Sequence, residues 1–169
     1  MTTSPTSATS SNGQAFPVDT VDLFEALAKE MNNHPEIYNE LGWCDMDLGV
    51  VMQREGAPFS VAIRLREHGC EQVALFEPGD GRHLDCWVVG DLADWQAMFE
   101  DIATNGMATG QHTLSSLVLL ADRIAVKGHD SMGVDLFFRY NQTLQSFFDG
   151  AAALVPARQG TGQGEGEES

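Results

Sequence analysis

Basic side chains are scarce in this chain. Nine lysines and arginines stand against 25 aspartates and glutamates among 169 residues, a formal net charge of −16. A surface that grips nucleic acid sets an excess of cations against phosphates, so nucleic acid is excluded as a partner, as is stable adhesion to an anionic bilayer. Long apolar runs are also missing. The best stretch, Leu114 to Val126, is broken by Asp122 and Arg123, short of the roughly 18 residues that span a membrane, so no stable membrane insertion is expected. The opening MTTSPTSATSSNGQ has neither the basic start nor the apolar core of a secretory signal, which makes cytoplasmic residence the expectation.

Chemistry-bearing patterns are equally sparse. The 3 cysteines, Cys44, Cys70 and Cys86, are odd in number and form no CxxC pair, so they read as reduced, buried fillers. His34, His68, His83, His112 and His129 show no HxxxH or HExxH spacing, and no metal site is expected. His129, Asp130 and Ser131 name the members of a triad, but adjacent residues do not line up nucleophile, base and orienting acid, and no GxSxG elbow is present. Asp45 and Asp47 share one side of a strand pattern and read as its solvated side. The glycines of Gly79 to His83 (GDGRH) join two strands and open no helix, which argues against a phosphate loop. The chain is therefore not expected to be an enzyme or to need a cofactor.

What the chain does have is a core. With 43% hydrophobic and 20% charged residues, it suits one folded domain, placed at 16–155. Polar residues 1–15 and the Gly-rich, acidic 156–169 read as disordered tails. Arg158 against Glu165, Glu167 and Glu168 leaves the last tail at −2 and the first is neutral, so −14 of the charge belongs to the domain.

Periodicity orders that domain. Leu23, Phe24, Leu27 and Met31 recur at helical spacing after the possible N-caps Asp19 and Thr20, and a short helix runs from Pro35 to Leu41 before Gly42. The period then falls to 2 over Met46 to Met52 and again over Phe59 to Leu65, predicting two antiparallel strands. Third and fourth strands are predicted at Gln72 to Glu77 and His83 to Val89, making a four-strand meander. Asp91 and Asp94 open a helix with the stripe Leu92, Trp95, Phe99 and Ile102, closed near Asn105-Gly106. A helix over Thr113 to Ala121, a strand over Arg123 to Lys127, and a last helix from Asp130 or Ser131 to about Ala153 complete the order.

The last helix is apolar around its circumference, with Phe137, Phe138, Tyr140, Leu144, Phe147 and Phe148. Such a helix either sits at the centre of the core or borders an apolar cavity between sheet and helices.

Two stretches carry a family resemblance: GDLADWQAMFEDIATNG at Gly90 to Gly106, and LADRIAVKGHDSM at Leu120 to Met132, followed by the terminal apolar helix. In order and wording they resemble the sterol carrier protein type 2 family of lipid-binding domains, over roughly Thr20 to Ala153. His129 between Gly128 and Asp130 is a departure from the Gly-Asp expected there. The resemblance implies an α+β fold, a five-stranded, mainly antiparallel sheet with helices packed on one face and an apolar tunnel between them. It implies binding or transfer of a fatty acyl chain, sterol or similar hydrophobic small molecule. Carried onto this sequence, the lining candidates are Trp95, Phe99, Ile102, Met107, Leu117, Phe137, Tyr140 and Phe148. The alternative is a non-catalytic accessory or scaffold subunit of an enzyme complex acting on hydrophobic substrates. The acidic surface would favour a protein partner with a basic surface.

Overall fold

Alternating apolar residues place β1 (Met46–Gln53) at the centre of a five-stranded sheet. β2 (Phe59–Arg66) and β3 (Gly69–Leu75) follow antiparallel on one side of it. On the other side β4 (Cys86–Asp91) runs parallel to β1, and β5 (Ile124–Gly128) antiparallel to β4. The computed structural model describes residues 17–154; the expected tails, 1–15 and 156–169, lie outside the described residues.

The sheet is mainly antiparallel, but its first four strands are not a meander. β4 pairs with β1 instead of β3, in the order β3-β2-β1-β4-β5. Leu48 pairs with Cys86 and Val50 with Val88, so the buried residues of β4 extend those of the central strand. Asp85 fixes the arrival of β4: its carboxylate accepts from the Asp47 N–H at 2.7 Å and its own N–H donates to the Asp47 carbonyl at 2.8 Å. β3 is left as an edge, and it starts at Gly69 because a two-residue turn suffices, with Glu67 in the left-handed region at φ 60°. Asn32 covers that edge, donating to the Cys70 carbonyl at 3.0 Å and accepting from its N–H at 2.8 Å.

Six helices pack on one face of the sheet among the described residues: α1 (Val21–Asn32), α2 (Pro35–Leu41), α3 (Leu92–Asn105), α4 (Leu114–Leu119), α5 (Ser131–Arg139) and α6 (Asn141–Asp149). Thr20 caps α1 through its hydroxyl, and Leu23, Phe24, Leu27 and Met31 are the buried stripe. Asp91 occupies the N-cap of α3 without a side-chain capping bond, whereas Asp94 pairs with Arg123 at 3.0 Å. Gly106 closes α3 at φ 83°, a conformation that favours glycine.

The expected last helix is broken at Tyr140, where φ −102° and ψ 18° end α5 and begin α6. The break has a packing reason. α5 lies on β4 and β5 and buries Phe137, while α6 turns Leu144, Phe147 and Phe148 toward α1 and α3. A straight helix apolar on every side would leave part of that surface in water. All three cysteines are buried; burial pushes the Cys44 and Cys86 thiols up to about 12 and Cys70 up to about 11, which leaves them unreactive near neutral pH.

Candidate functional site

The residues implied as ligand lining converge on one layer between sheet and helices, with two exceptions. Trp95, Ile102 and Phe148 are 0% exposed, and Phe137, Leu117 and Phe99 are buried beside them in the same core. Tyr140 is half-buried at the helix break. Met107 stands on the connection after α3, 54% exposed, and is not brought into the layer.

Phe148 is the hub of this layer. Its ring lies 5.8 Å from Trp95, 5.9 Å from Phe99, 5.5 Å from Phe147 and 6.2 Å from Phe24. The contacts to Phe99, Phe147 and Phe24 are edge-on, the arrangement favoured by ring quadrupoles. Phe24 and Phe147 therefore belong to the candidate site as much as Phe148 does. Helical periodicity marks both as apolar, but nothing in their spacing separates a lining residue from ordinary core.

The layer is filled. A side chain with no exposed surface has no room for water beside it, so Trp95, Ile102 and Phe148 border no space that an acyl chain fits without rearrangement. One polar atom is stranded inside it. The Trp95 Nε1–H is buried and has no hydrogen-bond partner. Leaving such a donor unpaired costs about 1–3 kcal/mol.

Two carboxylates hold the connection that carries Met107. Asp149 accepts from the Ala108 N–H and from Gln145, each at 3.0 Å. Asp101 accepts from the Thr109 N–H and hydroxyl and from Asn105. Burial raises the Asp149 pKa, and its two donors only partly oppose this. Burial also disfavours ionised Asp101, but the bonds from Thr109 and Asn105 outweigh it and lower that pKa.

The outer face of the sheet is polar by contrast where β1 meets β2. Asp47 bridges Arg64 at 3.1 Å and Arg66 at 3.2 Å, so it belongs to a paired array instead of a bare solvated side. The connection between β3 and β4 folds over this face, and Phe76 and Leu84 close on Gly49. His129 and its neighbours take structural positions: Nε2 of His129 bonds the Gly81 carbonyl at 3.0 Å, and the Asp130 carboxylate caps α5 by accepting from the Gly133 N–H at 2.9 Å. Among the described residues no three His, Cys, Asp or Glu are grouped to hold a metal ion, and no helix is long and apolar enough to cross a membrane.

No family profile matches the sequence, and no curated protein sequence matches it. Solved structures do match. The crystal structure of sterol carrier protein 2 superposes with a TM-score of 0.61 at 18% identity, covering 80% of this chain and 97% of that one. The solution structure of a conserved hypothetical protein of Thermus thermophilus gives a TM-score of 0.60 at 17% identity over 83% of this chain and 94% of that one. The sheet order, the helices on one face and the aromatic layer between them thus form the sterol carrier protein 2 fold.

Proposed function

We propose that the protein is a lipid-binding and lipid-transfer module, taking a fatty acyl chain, sterol or similar hydrophobic ligand between the sheet and the helices. The observation that carries this reading is the sterol carrier fold with an unpartnered Trp95 indole N–H inside its aromatic layer. A carbonyl or hydroxyl oxygen on a lipid would satisfy that donor, and the acyl or ring body would replace the contacts around Phe148 and Phe137. Because the layer is filled, the ligand enters by displacing side chains, and the break at Tyr140 is the place where this reading needs α5 to shift against α6. Leu119, Leu120, Met132 and Phe138 are exposed on the segments flanking β5 and give this part of the surface an apolar character.

Burying about ten methylenes at roughly 0.8 kcal/mol each is worth about 8 kcal/mol before association costs, the scale of micromolar affinity. A carrier needs no tighter grip. The acidic domain disfavours exchange on anionic lipid surfaces, so delivery to a protein with a basic surface fits better.

Native mass spectrometry of gently purified protein, followed by organic extraction, is expected to find a lipid. Phe137→Ala, in the layer, should weaken uptake of a fluorescent fatty acid more than Trp43→Ala, whose side chain is exposed. A protein that is always empty and ignores fluorescent fatty acids overturns the reading.

A further inference from the structure

A pocket lies on the outer face of the sheet, the face away from all six helices. Its floor is Val51 of β1 with Trp87 and Val89 of β4, and Phe76 of the β3–β4 connection forms one wall. Its volume is about 440 Å³, within the range of small-molecule sites. The pocket is built into the fold. A Cβ on Gly49 would lie 2.8 Å from Leu84, 2.9 Å from Trp87 and 3.1 Å from Phe76, so only glycine lets the connection close onto the sheet. The His129 bond to the Gly81 carbonyl pins the connection from the other side, and the Trp87 and His129 rings meet edge-on at 5.1 Å.

Charge sets this pocket apart. Arg82 and Lys127 line it with His129, and no carboxylate does. The chain has 25 acidic residues, and three other pockets among the described residues contain them: Asp47, Glu77 and Asp80 in one, Asp85, Asp130 and Asp135 in a second, Glu25 and Glu71 in a third. Asp80 stands between two glycines of the pocket wall yet lines the neighbouring pocket, which shares Phe76 and Arg82 with this one. Arg54, Arg64, Arg66 and Arg123 are held in ion pairs, whereas Lys29, Arg82, Lys127 and Arg139 make none within the described residues, and of these four only Arg82 and Lys127 line this pocket. A strongly acidic protein thus places two uncommitted cations over an apolar, aromatic floor.

We infer that this outer pocket binds a small organic carboxylate with a flat apolar body, its ring on Val51, Val89 and Trp87 and its carboxylate on Arg82 and Lys127. The guanidinium fork suits a carboxylate in two-point contact, and the ammonium adds a point charge. The edge of an aromatic ligand completes the group of Phe76, Trp87 and His129. The site does not rest on the lipid reading, because the sheet separates it from the Trp95 layer.

The test uses 2-naphthoate as probe, 2-naphthamide as its uncharged counterpart, and the indole N–H signals of the three tryptophans in a proton–nitrogen NMR titration. Saturable naphthoate binding should move the Trp87 indole and the Val51 and Val89 amides while leaving Trp95 in place. The amide should bind at least tenfold more weakly. Arg82→Ala with Lys127→Ala should weaken naphthoate at least tenfold and bring it level with the amide. Both side chains are exposed and unpaired, so an unchanged Trp95 signal checks that the variant is folded. No saturation at millimolar probe, equal binding of acid and amide, or a double variant that binds like the parent overturns the proposal. Movement of Trp95 without Trp87 also overturns it, while supporting a ligand in the inner layer.

Discussion

The two faces of one sheet solve the burial problem in opposite ways. Inside, Met46, Leu48, Val50 and Met52 of β1 meet Phe24, Phe148 and Trp95 in a layer that excludes water and leaves one indole N–H unanswered. Outside, the intervening residues of the same strand meet ion pairs, a glycine and a folded-over connection, and the surface keeps open pockets. A strand's period of two makes this possible, because each residue commits to one face only. Stability is therefore concentrated on the inner face, and ready-made concavity on the outer one. A ligand of the inner layer must displace protein, whereas a ligand of the outer pocket needs only to displace water.

The sharpest way to break this contrast is to hollow out the inner hub. Phe148→Ala removes a fully buried ring that touches four others, and should cost about 3–5 kcal/mol in chemical denaturation. A loss below about 1 kcal/mol would mean that the layer is loosely packed and already has room for a ligand. On the outer face Gly49→Ala should cost less, about 1–3 kcal/mol, because Phe76 and Leu84 can lift with their connection and only the Trp87 Cβ on β4 must be pushed aside. Its NMR signature should be confined to the β3–β4 connection and Trp87, with Trp95 unmoved. Disturbance of Trp95 would show that the two faces are not independent.

The inner face was legible in the sequence because its signal is periodic. The stripes on α1 and α3 and the alternation on β1 and β2 appear where spacing puts them. The parallel pairing of β4 with β1 was not legible, since adjacency in sequence favours a meander and the choice depends on how Cys86 and Val88 extend a buried surface three strands away. Nor was the break at Tyr140, which no proline or glycine announces. For the site, the lining candidates came from the family resemblance; Trp95, Phe99, Ile102, Leu117, Phe137 and Phe148 share one buried layer, but inward-facing apolar residues look alike whether they touch ligand or each other. The outer pocket had no local signature at all. Val51, Phe76, Trp87 and Lys127 come from four separate segments, and only the fold over Gly49 assembles them.

The smallest expected effect concerns the seam where the inner layer meets solvent, the connection through Met107 to Thr109. Asp149 and Asp101 both tether it, with opposite dependence on protonation. The Asp149 pKa is raised in the fold above its ordinary 3.8, so the stability it contributes is present below that value and is lost as pH climbs through the folded pKa. The Asp101 pKa is lowered, so its contribution is present above the ordinary value and is lost as pH falls. Asp149→Asn keeps an oxygen for the Ala108 N–H and removes the ionisation. Its stability relative to the parent should therefore improve from about pH 3 to about pH 7, and that of Asp101→Asn should worsen over the same span. Denaturant titrations at several pH values read both slopes. If the two variants shift in the same direction, the seam is not held by a buried, reluctant carboxylate on one side and a hydrogen-bonded, ionised one on the other. In the expected case, mild acid protonates Asp149 first, which still offers Ala108 an oxygen, and the Thr109 tether weakens only in stronger acid, below the ordinary carboxylate value, where Asp101 at last loses its charge.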